Sequence, residues 1–230
     1  MPPHRPFAAA GSGGRHPSVI VTALITAVLL SPGCGPEAVT PSPDADSARI
    51  GSRPLDRIAA TEDLFLDDVR SNAEVPEDIA SLEFTRVDGD PLKLSDYLGR
   101  RHVVLVFTQG YYGGSLCPFC TTQVSRLIAN YDRFVDAGAE VLVVYPGDDE
   151  HLDEFIGNAA SVVNRQIDRT PFPLLLDADL SAVRFFGIES HLAHPSTFVL
   201  DRDGNVRLAY VGADRSADRP SIDAMLAALD

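Results

Sequence analysis

The chain has 230 residues, 45% of them hydrophobic, enough for one domain with a sizeable core plus extensions. Its 19 Lys and Arg against 33 Asp and Glu give a formal net charge of -14. A surface this acidic repels phosphate backbones and anionic lipid heads, which excludes nucleic acid as a partner and leaves membrane association to an anchor rather than to the domain's charge.

In chain order, residues 1–17 carry Arg5 and Arg15 and no acid, and residues 18–30 form an apolar stretch too short for a comfortable membrane span. Residues 1–33 are therefore expected to be an export signal. The run Leu30-Ser31-Pro32-Gly33-Cys34 resembles the lipobox of bacterial lipoproteins, which implies cleavage before Cys34 and lipid attachment to it. That pattern usually has an apolar residue three before the cysteine, where this chain has Ser31. Ordinary cleavage nearby and an uncleaved anchor stay open as alternatives. All three place the domain outside the cytoplasm, on the periplasmic or cell-surface side, and touching the membrane only through the N-terminal anchor. Residues 34–75 then comprise the anchor cysteine, a tether rich in Pro, Ser, Ala, Asp and Gly up to about Pro54, and a short surface helix within Leu55–Asn72.

The main domain is expected over residues 76–230. Leu82 to Arg86 alternates as a strand, Asp88-Gly89-Asp90 is a turn, and Leu92-Lys93-Leu94 reads as a second strand before a short helix over Ser95–Gly99. The apolar run Val103 to Phe107 is a buried central strand, closed by a loop from Gly110 to Gly114. From about Pro118 to Ala137 the period changes: Val124, Leu127, Ile128, Tyr131, Phe134 and Val135 mark an amphipathic helix that stops at Gly138. Glu140 to Tyr145 is another buried strand, and Asp148-Asp149-Glu150 opens a helix running to about Ile167. This strand–helix alternation predicts parallel pairing in a sheet buried on both faces. The last third carries antiparallel signals: a strand over Phe172–Asp177, a helix over Leu180–Phe186, a hairpin of Ser196–Leu200 with Val206–Val211, and a closing helix over Ser221–Leu229.

The chemistry concentrates in Ser115-Leu116-Cys117-Pro118-Phe119-Cys120, where a strand gives way to a helix. Pro118 fits the first helical position, so Cys117 is the cap, with unpaired N–H groups directed at its sulfur. Cysteines so placed can titrate at about 3.5–7.5, which makes Cys117 the expected exposed nucleophile. Cys120 is one turn further in, able to meet Cys117 in a disulfide, and is the expected, more buried, resolving thiol. A static staple is a poor use of so short a loop, because little chain entropy is removed. His191 and His194 supply two imidazoles for a rival reading, a Cys/His metal site.

With Cys117-Pro118-Phe119-Cys120 after a buried strand and His194-Pro195-Ser196-Thr197-Phe198-Val199-Leu200-Asp201 before a hairpin, the domain resembles the thioredoxin fold, and within it the peroxiredoxin-like AhpC/TSA family. The resemblance covers residues 79–229. It implies an α/β protein with a central mixed sheet flanked by helices and a peroxiredoxin-type N-terminal extension. It also implies a thiol-dependent peroxidase that reduces hydrogen peroxide or alkyl hydroperoxides through a Cys117–Cys120 disulfide, with no cofactor and a thioredoxin-like thiol reductant as partner. Pro118, His194 and Pro195 would form the substrate platform, with a cis bond before Pro195. Peroxidatic members place Pro seven residues and Thr or Ser three residues before the attacking cysteine; here those positions are Gly110 and Gly114. A reductase acting on protein disulfides is the alternative activity, and a copper carrier using Cys117, Cys120 and His194 a further one. Arg126 and Arg184 are expected to be solvated.

Overall fold

The computed structural model describes residues 65–163, 167, 169–213 and 218–230. Cys34, the export signal, the tether and residues 55–64 of the expected surface helix lie outside the described residues.

Seven strands form one sheet: β2 (Glu83–Arg86), β3 (Pro91–Lys93), β4 (His102–Phe107), β7 (Ala139–Pro146), β8 (Leu174–Asp177), β9 (Ser196–Leu200) and β10 (Val206–Val211), in the order β10-β9-β4-β7-β8-β2-β3. Four small strands stand apart, with β5 (Tyr111–Tyr112) antiparallel to β6 (Ser115–Leu116), and β1 (Phe65–Leu66) parallel to β11 (Arg219–Pro220). The helices are α1 (Pro118–Asp136), α2 (Leu152–Val162), α3 (Ser181–Phe185) and α4 (Ile222–Ala227).

The central strands β4 and β7 are parallel and, apart from His102 and Glu140 near their starts, apolar, because both sheet faces are covered. Alternation along β4 sends Val104 and Val106 to a core shared with Val124, Leu127 and Phe134 of α1, Phe155 of α2 and Met225 of α4. Val103, Leu105 and Phe107 face the opposite core, against Phe186 and Phe198. Each such buried aliphatic or aromatic side chain contributes about 1.5–3 kcal/mol relative to leaving it in water.

Four expectations change. β8 is parallel to β7 and antiparallel to β2, so it belongs inside the sheet rather than with the terminal hairpin; Leu174 and Leu175 are buried, as a strand covered on both faces requires. The loop expected over Gly110–Gly114 is instead part of the β5–β6 hairpin, which pairs Tyr111 with Leu116 and Tyr112 with Ser115. α2 ends at Val162, short of Ile167. The described end of the expected surface helix is instead extended. Phe65–Leu66 pairs with β11, and Asn72 reaches the free edge of β10, its side chain accepting from the Val211 N–H at 2.8 Å and donating to the Val211 carbonyl at 2.9 Å. A sheet edge leaves a row of unpaired N–H and C=O groups, and this segment satisfies them.

Candidate active site

Cys117 caps α1 in an extended conformation (φ -69°, ψ 111°) and Pro118 follows at the first helical position. Its sulfur accepts a hydrogen bond from the Cys120 N–H at 3.3 Å, and the Cys120 thiol donates to it across 2.7 Å. Both cysteines are free. The separation is short enough that disulfide closure to about 2.05 Å needs only a small movement of the two side chains. The Gln109 N–H, just past the end of β4, donates to the Cys120 sulfur at 3.3 Å.

These contacts set the protonation states. The Cys120 thiol bond holds the Cys117 pKa down to about 6 against the opposing cost of burial, helped by the Cys120 N–H, the Arg219 guanidinium and the Phe119 N–H. Burial pushes the Cys120 thiol well up, and the Cys117 thiolate beside it pushes the same way. The pair therefore shares one proton, held by the inner sulfur. Because the Cys117 pKa is lowered, its thiolate is present above that value and lost as pH falls through it. Alkylation of Cys117 by iodoacetamide is expected to rise with pH around a midpoint of about 6. In Cys120→Ala the midpoint should move up toward the ordinary thiol value of ~8.5. A midpoint already near ~8.5 in the unaltered protein would show that the thiol pair does not hold the charge.

The two sulfurs differ in access, though less than the sequence suggests. Cys117 is only 9% exposed rather than open to solvent, and Cys120 is 0% exposed. Cys117 faces a cavity of about 220 Å³ lined by Gln109, Gly110, Tyr112, Ser115, Leu116, Pro118 and Phe119. The β5–β6 hairpin supplies much of this lining and is pinned from two sides: Tyr111 stacks on His151 at 3.5 Å between ring centroids, and Tyr112 on His191 at 4.2 Å.

Of the expected platform, Pro118 lines the cavity while His194 and Pro195 do not. Pro195 is buried one residue before β9, whose ladder pairs Ser196 with Phe107, so it lies near the strand end that leads to Gln109. No cis peptide occurs among the described residues, so the expected cis bond before Pro195 is trans. The chain there is held on both sides, with the His194 N–H bonded to the Ile188 carbonyl and the Pro195 carbonyl accepting from Gly212, and trans is the ordinary state of X–Pro bonds. Among the described residues no group of three or more His, Cys, Asp or Glu side chains is placed to share a metal ion. His191 is engaged with Tyr112 instead.

Gly110 and Gly114 both have positive φ, +76° and +84°. A Cβ on Gly110 would fall 2.6 Å from the Pro146 carbonyl oxygen, whereas one on Gly114 would meet nothing within 4 Å. The hydroxyls that line the cavity come from Ser115 and Tyr112.

One site residue has no local signature in the sequence. Arg219 is 1% exposed and its guanidinium contacts the Cys120 sulfur at 3.7 Å. Arg126 lies over the Phe65 ring at 4.3 Å, and Arg184 donates to the Asp179 carbonyl at 2.6 Å. The order Arg219-Pro220-Ser221 before α4 reads as a helix lead-in, with the Ser221 hydroxyl accepting from Ala224 as cap.

A mixed sheet with helices on both faces and a Cys-x-x-C pair at the mouth of the helix after a central parallel strand defines a thiol-dependent protein of the thioredoxin fold. The model of the AhpC/TSA family matches residues 75–209, and the chain belongs to that family. Chloroplastic peroxiredoxin Q of Suaeda salsa is 33% identical over 127 residues, 54% of this chain and 53% of that protein, so the chain spans about half the length of this relative. Peroxiredoxin Bcp of Bacillus subtilis is 26% identical over 142 residues, 58% of this chain and 82% of that protein. Peroxidoxin BcpB from Mycobacterium tuberculosis shares the fold, with a TM-score of 0.51 and 22% identity over 70% of this chain and 96% of that one.

Proposed function

We propose that the protein is a peroxiredoxin-like thiol peroxidase. The observation that carries this reading is the Cys117 sulfur, held as a thiolate at a helix N-terminus, facing a cavity and 2.7 Å from a second thiol, in a chain of the AhpC/TSA family. The Cys117 thiolate attacks the terminal peroxide oxygen of ROOH. The O–O bond breaks, Cys117 becomes a sulfenic acid, and the alkoxide or hydroxide leaves and takes a proton from water. Cys120 then displaces water from the sulfenic sulfur to close the Cys117–Cys120 disulfide. An external dithiol of the thioredoxin type restores the pair by exchange through a mixed disulfide.

A second reading, reduction of protein disulfides, is favoured by one feature: Gly114 stands where peroxidatic relatives carry a peroxide-orienting hydroxyl. One comparison separates the two. Reduced full-length protein given hydrogen peroxide, an alkyl hydroperoxide or a protein disulfide, each with the same thiol donor, is expected to turn over a peroxide faster than the protein disulfide. Brisk disulfide reduction with no peroxide consumption would replace the peroxidase with the reductase.

The reading places the enzyme outside the cytoplasm through residues 1–33 and lipidated Cys34, supported by the charge, apolarity and lipobox resemblance of that segment. Intact mass of the protein recovered from membranes tests it, an unmodified Cys34 being the outcome against it.

A further inference from the structure

We propose that Arg219 activates Cys120, the resolving thiol, by stabilising the Cys120 thiolate that attacks the Cys117 sulfenic acid. This rests on the peroxidase reading above.

The Arg219 guanidinium is 1% exposed, so its charge acts on its neighbours with little screening by water. The sulfur it contacts, at 3.7 Å, is that of Cys120, the deeper of the two. The fold brings it there from the far end of the chain. Gly212, at the end of β10, passes so close to its neighbours that a Cβ would meet the Asp218 carboxylate oxygen at 3.0 Å and the carbonyls of Asp218 and Pro195 at 3.1 Å. Asp218 is anchored by the Ala213 N–H at 3.0 Å and the Tyr210 hydroxyl at 3.3 Å, and Arg219 follows it in β11, level with Phe65 of β1.

Before oxidation, Cys120 donates its proton to the Cys117 thiolate and has no reason to ionise. Once Cys117 is a neutral sulfenic acid, its charge no longer opposes ionisation of Cys120, and burial is the cost that remains. The groups facing Cys120 are then Cys117 on its own helix, the Gln109 N–H after β4, Tyr145 on β7 and Arg219 on β11. Of these Arg219 alone carries a positive charge. The Cys120 thiolate attacks the sulfenic sulfur, the S–S bond forms, and the S–O bond breaks. The departing hydroxide combines with the proton Cys120 released to give water, and the sulfenic sulfur is reduced by the electron pair Cys120 supplies.

The test is a single turnover of the reduced full-length protein with one equivalent of hydrogen peroxide, following sulfenic acid by dimedone trapping and disulfide by mass. Arg219→Met is expected to slow closure at pH 7 by about tenfold or more, with dimedone adduct accumulating, while Arg219→Lys recovers most of the rate. The pH midpoint of closure should rise by about one unit in Arg219→Met, a shift that loss of packing alone would not produce. If Arg219→Met does not fold, Arg219→Gln, which keeps a polar side chain but no charge, decides the matter: its closure midpoint must lie above that of the unaltered protein, and an unchanged midpoint overturns the proposal. Wild type that forms no sulfenic acid refutes the peroxidase reading and this step together. Wild type that forms it, with Arg219→Met closing within twofold, refutes only the role of Arg219.

Discussion

Cys117→Ser is expected to lower peroxide turnover by at least about a thousandfold, the scale on which removal of a nucleophile acts. The hydroxyl keeps the cap position but is not ionised near neutral pH, and the helix N-terminus cannot make up the difference. Cys120→Ser should fail differently. The Cys117 thiolate remains, so the variant consumes about one equivalent of peroxide and stops at the sulfenic acid, because the partner 2.7 Å away is no longer a thiol. Its first turnover should stay close to that of the unaltered protein near pH 6–7, since the serine hydroxyl can still donate to the Cys117 sulfur in place of the Cys120 thiol. Rapid mixing with peroxide followed by mass analysis separates the two variants. Sustained multiple turnover by Cys120→Ser with the same thiol donor would show that Cys117 is resolved from outside the chain.

The second large effect concerns the glycine where peroxidatic relatives carry proline. Gly110→Pro, which would restore the family's residue, is expected to destabilise the reduced protein by about 3 kcal/mol or more and to lower activity rather than raise it. Proline fixes φ near -65°, and Gly110 sits at +76°. Any Cβ there points at the Pro146 carbonyl oxygen at 2.6 Å and at Leu192 Cδ1 at 3.1 Å. Relieving the clash must move the root of the β5–β6 hairpin, and with it Tyr112 and Ser115, which line the cavity. Urea unfolding of the two reduced proteins measures the cost. A loss under ~1 kcal/mol would mean that the hairpin can re-route without strain.

Much of this site is local in origin, which is why the chain displays it. The buried strand β4, the cap at Cys117, Pro118 and the four-residue spacing along α1 all follow from periodicity and from the hydrogen-bonding needs of a helix start, and the hairpin of β9 and β10 follows from alternation across Asp201–Asn205. Nothing so local marks the sheet position of β8, which depends on partners far along the chain, or the path of Phe65–Asn72, whose polar groups match the edge of β10 only after that edge exists. The bond before Pro195 is of the same kind: its trans state is held by Ile188 and Gly212, which adjoin it only in the folded sheet.

The amino-acid sequence by itself determined the dithiol, the order in which its sulfurs are presented and the missing hydroxyl before it, because each depends on a few neighbouring residues and one helix end. Only the tertiary structure decided how much of Cys117 is exposed, which hydroxyls reach the cavity and which charge stands beside Cys120. Burial and electrostatics act through space: Arg219 is 99 positions from Cys120 along the chain and 3.7 Å from its sulfur in the fold.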